Sequence, residues 1–253
     1  MNAYERVRTA RLASRPTGLV YINNIFSSFI EFHGDRRAKD DGAIVAGIAE
    51  LEGMPVTVIA IEKGRTAAER TMRNFGSASP EGYRKALRLM KEAEKFNRPV
   101  ITFVDTAGAF CGIEAEERGE GEAIARNLME MMDLDVPILS VLIGEGGSGG
   151  ALGLAVADRV WMLENAVYSV ISPEGCASIL FKDSKKASQA AECLKLTADD
   201  ALSLGLIEKI VKEDELGTEE FFHHLGNDIY NEICMIKKDM DFKENRYKRF
   251  RAF

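Results

Sequence analysis

The residues best suited to chemistry in this chain are glycines. Val136 to Ala157 reads VPILSVLIGEGGSGGALGLAVA. Its apolar, β-branched start, Val136 to Ile143, predicts a buried strand, and Ala151 to Ala157 predicts a helix that is apolar almost all round. Between them, Gly144-Glu145-Gly146-Gly147-Ser148-Gly149-Gly150 brings bare backbone N–H groups up to the positive end of that helix. Three chemistries use such a turn. Gly144, Gly146 and Gly149 spell G-x-G-x-x-G, with Glu164 about twenty residues on, as in a dinucleotide site. Gly146, Ser148 and Gly150 spell G-x-S-x-G, a serine nucleophile elbow. In the third, an oxyanion hole, backbone N–H groups hold developing negative charge and no side chain reacts. The plain alternative is a loop that merely packs tightly, although so many glycines are costly to order.

The elements around this turn predict a second one like it. Pro99 to Val104 reads as a short buried strand running into Asp105-Thr106-Ala107-Gly108-Ala109-Phe110-Cys111-Gly112, a glycine loop at the end of a strand. A helix is predicted from Ile113 to Met132, leading to the strand at Val136. Upstream, residues 1–17 are basic and weakly helical, and Gly18 to Phe32 is predicted helical. Ala43 to Leu51 and Met54 to Glu62 form a hairpin turning at Glu52-Gly53. From Lys63 to Arg98 there are ten Lys/Arg against four Asp/Glu. Pro80 opens a helix there, with Tyr83, Ala86, Leu87 and Met90 on its apolar face and Arg84, Lys85, Arg88, Lys91 and Lys95 on the other. That face is either solvated or attracts a polyanion. Downstream come short strands at Asp158 to Leu163 and Val167 to Ile171, and a small helix after Ser172. A capped helix and strand follow over Thr197 to Val211, then a polar helical segment with a basic tail, Lys243 to Arg251.

Composition narrows the classes. The 253 residues, 46% hydrophobic and 29% charged, suit one large α/β domain. The net charge of −7 disfavours nucleic-acid binding. No apolar run is long enough for a membrane span, and MNAYERVRTARLASRP lacks the apolar block of a signal peptide, so a cytoplasmic location is expected. Four separated cysteines form no C-x-x-C pair, which argues against a zinc ribbon, and three histidines leave little material for a metal or triad. A hydrolase needs a later histidine, and His223 and His224 lie in the polar helical segment. A dinucleotide motif ordinarily opens its domain and precedes a longer amphipathic helix.

The remaining reading is supported by resemblance. EKGR at Glu62, RNFGSASPEGYRKALRLMKEAEKF, FVDTAGAFCGIEAEERGEGEAIARNL, IGEGGSGGALGLAVADRVWMLENAVYSVISPEGCASIL and the closing ENRYKRF resemble the alpha subunit of bacterial acetyl-CoA carboxylase carboxyltransferase. The resemblance runs from about Asp35 to Val211 and includes the tail. It implies a crotonase-like (ClpP/crotonase) α/β fold of ββα superhelix type, one domain with flanking helices. The expected parts are an N-terminal helical segment (1–34), a carboxyltransferase core (35–212) and a C-terminal helix with basic tail (213–253).

The implied reaction carries the carboxyl group from carboxybiotin on a carrier protein to acetyl-CoA, giving malonyl-CoA for fatty-acid synthesis. Negative charge then develops on a ureido oxygen and on a thioester oxygen. Backbone donors aimed at each would contribute on the order of 3 kcal/mol, with no side-chain base required. Gly149 and Gly150 match the family's hole for the biotin carbonyl, with Gly146 and Gly147 beside them. Gly108 and Ala109 are expected as the facing wall, and Arg65 as a cation for the carboxylate. Arg84, Lys85 and Arg88 are expected to meet CoA phosphates or the carrier. The implied partners are a beta subunit bearing zinc, in an α2β2 heterotetramer, together with biotin carboxyl carrier protein and biotin carboxylase. No metal, nucleic acid or membrane is expected for this chain itself. A carboxyltransferase subunit for another acyl-CoA, a non-catalytic paralogue and a dinucleotide-binding protein remain alternatives.

Overall fold

The computed structural model describes residues 1–252. α1 (Ala3–Ala10) is closed at its start by reciprocal bonds between Asn2 and Glu5. α2 (Gly18–Ile25) ends seven residues short of the expected Phe32, because the chain becomes extended at Phe26 and enters β1 (Ser27–Glu31). Phe26, Phe29 and Ile30 imitate a helical stripe, but β1 pairs with the next strand and leaves Ile30 exposed. β2 (Ile44–Leu51) and β3 (Met54–Ile61) make the expected hairpin, with Glu52 and Gly53 both at positive φ (48° and 77°), as a two-residue turn requires.

α3 (Ala67–Met72) is capped by Thr66 with Glu69, and α4 (Pro80–Lys95) starts at its proline. β4 (Val100–Thr106) follows, then α5 (Ile113–Glu117) and α6 (Glu120–Asp133). These two replace the single helix expected from Ile113 to Met132, because Gly119 is left-handed (φ 83°) and breaks it. β5 (Ile138–Gly147) runs into α7 (Ser148–Ala155). The remainder is β6 (Arg159–Leu163), β7 (Val167–Ser169), α8 (Pro173–Leu180), α9 (Ala187–Leu194), α10 (Ala198–Ser203), β8 (Lys209–Val211), α11 (Glu219–Lys238) and α12 (Phe242–Arg251).

All eight strands join one sheet, in the order β1-β2-β3-β4-β5-β6-β8, with β7 also beside β5. The hairpin end is antiparallel, and β3 through β8 pair in parallel. The carboxyl ends of β4 and β5 are therefore neighbours, and both carry glycine loops. α4, α6 and α7 pack on one another, while α2 packs with α11. One apolar cluster joins Ile22 and Tyr21 of α2, the strands, Leu89 of α4 and Phe222, Ile229 and Ile233 of α11. The C-terminal segment is thus no polar appendage. Its apolar residues recur at helical spacing along one buried stripe.

The basic tail contains the largest buried cation of the fold. Arg246, 1% exposed, meets Asp158 through Nε and Nη2 at 2.9 and 2.8 Å, and also donates to the carbonyls of Met131, Leu134 and Val136. All five N–H groups of its guanidinium are used, which is the condition under which a buried ion pair is tolerated. Asp158 Oδ2 also accepts the Ile138 N–H at 2.7 Å, so the cluster pins the start of β5.

Arg246→Met is expected to destabilise the fold by about 3–5 kcal/mol in chemical denaturation, because Asp158 and three carbonyls lose their donors. Arg246→Lys should not rescue it, since three donors on a point charge cannot replace a planar fork of five.

Candidate active site

The site begins with a misfit between two strands. β4 and β5 pair residue for residue to Val104↔Leu142, but the next partners are Thr106↔Gly146. β5 therefore carries two extra residues, a bulge at the strand's end. The Asp105 carboxylate fills it, with Oδ1 accepting the Glu145 N–H at 2.8 Å. A Cβ at Gly144 would stand 2.2 Å from that same oxygen, which explains this glycine sterically.

The bulge sets Gly147 and Gly150 directly against the 107–109 backbone. A Cβ on Gly147 would lie 2.2 Å from the Ala107 carbonyl oxygen, and one on Gly150 would lie 2.5 Å from the Ala109 nitrogen. Gly146 is closed off by Leu142 at 2.2 Å, whereas Gly149 meets nothing nearer than Ile124 at 3.7 Å. The two loops thus touch backbone to backbone. No side chain caps α7, so its first-turn N–H groups, including those of Gly149 and Gly150, lack an intrahelical acceptor. Across from them the Ala109 N–H makes no hydrogen bond among the described residues. Thr106 steadies the loop, its hydroxyl donating to the Gly108 carbonyl and accepting the Gly108 N–H. Gly108, at φ 155°, holds a conformation that side-chain-bearing residues rarely adopt.

The chain's other motif readings lack the partner residues they need. Ser148 sits at φ 44° on a sharp strand-to-helix turn, as an elbow serine would. No histidine lines the cavities beside it: His223 bonds Asn227, and His224 lines a separate cavity with Lys209 and Phe221. Glu164 is paired with Lys212 at 2.9 Å and lines neither cavity. The cluster Glu215, Glu220 and His224, the one group of metal-ligating side chains among the described residues, is exposed and lies outside both.

The ends of β3, β4 and β5 are clasped by charge. Lys63 Nζ lies 2.6 Å from Asp105 and 3.2 Å from Glu145, and Arg11 holds the other Glu145 oxygen at 2.8 Å. Burial would raise the Glu145 carboxyl, but Lys63 and Arg11 outweigh it and hold it below its ordinary value. Burial would likewise lower Lys63, and the two acids outweigh it in the other direction. Arg65 is exposed and outside this clasp, with its backbone N–H on Glu69.

Arg84, Lys85 and Arg88 do not form one free basic face. Lys85 is 1% exposed, with its ammonium on Asp40 at 2.6 Å and on the Asp41 carbonyl, so its place on the outer face is corrected. Arg84 is held by Asp35 and Glu81, and Arg88 by Glu92 and the Gly34 carbonyl. The helix turns Lys85 inward because the Asp40 carboxylate and the Asp41 carbonyl receive its ammonium there, a choice that polarity alone does not reveal. The same helix supports the site. The Tyr83 hydroxyl donates to the Gly150 carbonyl, and Asn127 of α6 donates to the carbonyls of Tyr83 and Gly153.

Sequence reasoning missed Glu120, at the start of α6. It is 5% exposed, and neither carboxylate oxygen has a partner among the described residues. Burial, then the charges of Asp41, Glu81 and Glu116, push it up to about 8, against a smaller opposing effect of Arg84. Nothing in the run EERGEGEA distinguishes this acid from its solvated neighbours.

Solved structures share the fold. The chain superposes on transcarboxylase 12S with a TM-score of 0.75, over 94% of its length and 45% of that chain, at 18% identity. On a Pseudomonas malonate decarboxylase hetero-tetramer the TM-score is 0.73, over 94% and 97%, again at 18% identity. What these two share with the chain is a class of fold, the same α/β architecture. The family profile described as acetyl co-enzyme A carboxylase carboxyltransferase-like matches residues 1–253. The Ruminiclostridium cellulolyticum acetyl-coenzyme A carboxylase carboxyl transferase subunit alpha is 61% identical, over 99% of this chain and 95% of its own. Its Streptococcus pneumoniae counterpart is 52% identical over the whole of both chains. A Clostridium tetani chain named subunits beta/alpha is 54% identical, over all of this chain and 44% of that one. The chain belongs to this family, as its alpha subunit.

Because Glu120 is raised from an ordinary 4.5 to about 8, folding favours its neutral form. The stability tied to this group is full below pH 4.5 and is lost as pH climbs through 8. Glu120→Gln is therefore expected to raise the melting temperature by a few degrees at pH 8 and to leave it unchanged at pH 4, in thermal scans by circular dichroism.

Proposed function

We propose that this chain supplies the biotin-side half of a carboxyltransferase site, and that with a beta subunit it carries a carboxyl group to acetyl-CoA to give malonyl-CoA. The observation that carries the reading is the backbone contact between Gly150 and Gly108-Ala109, with unpaired N–H groups on either side of it. Donors so placed are held by the fold before any charge appears and need no reorganisation when it does. Carboxybiotin, brought on its carrier, supplies the carboxyl group and a ureido oxygen that takes up negative charge. Gly149 and Gly150 N–H donate towards that oxygen, aided by the positive end of α7. Gly108 and Ala109 form the facing wall, Gly146 and Gly147 allow the two loops to meet, and Arg65 stands exposed at the solvent edge of α3. Of the basic trio on α4, only Arg84 and Arg88 reach the surface, so contacts to CoA phosphates or the carrier fall to them rather than to Lys85.

The beta partner is supported by the fused beta/alpha chain of Clostridium tetani, in which one polypeptide carries both names. On this reading the thioester hole and the zinc lie on beta, the assembly is α2β2, and biotin carboxyl carrier protein and biotin carboxylase complete the enzyme. No helix among the described residues is long and apolar enough to cross a membrane.

Decarboxylation of malonyl-CoA in the presence of free biotin tests the reading. Activity is expected only when this chain is combined with a beta-type subunit. Gly150→Ala must push the Ala109 backbone away and should lower kcat by about 100-fold or more in a folded complex. Gly121→Ala, where nothing lies within 4 Å, should leave the rate unchanged. Near wild-type turnover by Gly150→Ala would remove the glycine contact from the mechanism.

A further inference from the structure

In the run from Gly146 to Gly150 only Ser148 carries a side chain. It stands at φ 44°, in the left-handed region that glycine adopts freely and other residues avoid. That conformation costs on the order of 1 kcal/mol, and a glycine, as at the four positions around it, would avoid the cost. No bond of the side chain offsets it. The Ser148 hydroxyl makes no hydrogen bond among the described residues and stays open to solvent, the residue being half-buried. Ser148 lines a narrow cleft of about 50 Å³ beside Ala107, Gly146 and Gly147, together with Ser169 and Ser172. Ser169 donates to the Ile171 carbonyl at 2.8 Å, and Ser172 accepts the Gly175 N–H as the cap of α8. Of the cleft's three hydroxyls, Ser148 alone has no partner among the described residues.

The position of this oxygen ties it to the contact between the loops. The atom nearest to a Cβ built on Gly108, beyond its chain neighbours, is Ser148 Oγ at 3.9 Å, so the hydroxyl faces the open side of Gly108. Ser148 is also the first residue of α7, and Gly149 and Gly150, whose N–H groups lack intrahelical acceptors, follow it directly. Nothing in the cleft is free to take its proton: the Glu145 carboxylate is held by Lys63 and Arg11, and no histidine lines the cleft. The hydroxyl is therefore a hydrogen-bond donor that keeps its proton, and not a nucleophile. A free hydroxyl beside unpaired N–H groups at the positive end of a helix complements an oxygen that gains negative charge. We infer, on the basis of the carboxyl-transfer reading above, that the Ser148 hydroxyl is a further donor to the biotin-side oxygen, joining the Gly149 and Gly150 N–H groups. No covalent bond to Ser148 forms. The strained backbone is then the condition for placing a side-chain donor in a turn that otherwise has room only for glycine.

The test uses the full chain co-purified with a beta-type subunit. Free biotin is titrated calorimetrically, melting is followed by circular dichroism, and decarboxylation of malonyl-CoA is measured against biotin concentration. Ser148→Gly removes the hydroxyl and suits the backbone, so its melting temperature should stay within about two degrees of wild type, relieved strain offsetting added chain entropy. Its kcat should nevertheless fall by about 100-fold, because a donor aimed at developing charge acts mainly on turnover. Ser148→Ala keeps the Cβ and the strain, and should lose as much turnover as the glycine. Biotin, whose ureido oxygen is neutral in the free molecule, should bind both variants only about threefold more weakly. Should Ser148→Ala melt early, Ser148→Gly decides alone. Turnover retained by both variants overturns the inference and leaves the carboxyl-transfer reading standing. With both folded, a loss confined to one of them overturns it too, since both lack the hydroxyl. A wild-type complex that turns over no malonyl-CoA retires the carboxyl-transfer reading. Biotin binding then decides alone, weaker binding by the variants keeping Ser148 as a donor and unchanged binding removing it.

Discussion

One carboxylate in a strand bulge sets the geometry of the whole site. Parallel strands in register would bring their loops out side by side and leave them a strand spacing apart. Asp105 prevents this by taking the Glu145 N–H that the bulge removes from the β4 ladder. The two extra residues of β5 then advance Gly147 and Gly150 until they touch Ala107 and Ala109. Lys63 is needed in turn, because a buried carboxylate without a cation would be costly. From one acid follow the glycine opposite it, the lysine beside it and the contact between the loops.

That contact clarifies what the glycines do. Gly147 and Gly150 are required because a Cβ has no room, and flexibility is not their purpose. A site built from main chain must be held by its surroundings, since there is no side chain to adjust. The apolar, buried α7, the Tyr83 bond to Gly150 and the Asn127 bonds joining α4 to α7 supply that rigidity. The charged groups beside the loops, Lys63, Asp105, Glu145 and Arg11, are spent on one another and so brace the main chain.

The strands β2 to β8, the hairpin turn and both glycine loops are legible because each has a local cause. Buried parallel strands are continuously apolar, Glu52-Gly53 is a turn pair, and glycine runs mark places without room for a side chain. What escaped depends on partners distant in sequence. β1 looked helical because its pairing with β2 is set by the sheet, and Lys85 looked solvated because Asp40 and Asp41 lie more than forty residues away. The isolation of Glu120 is a property of three-dimensional enclosure. Residue type carries no trace of it. The break at Gly119 is the exception, since a glycine inside a helical pattern is itself a local signal.

Arg246 has a bearing on how the chain folds. It closes a cluster with Asp158, 88 residues earlier, and with the Met131 carbonyl, 115 residues earlier. Contacts of such separation demand loop closure before they stabilise anything, and so they form late. Until α12 arrives, the entry to β5 holds a carboxylate with no counter-charge, and the central strand cannot be sealed from water. The strand that ends in the glycine turn is thus anchored at its start by the last helix of the chain.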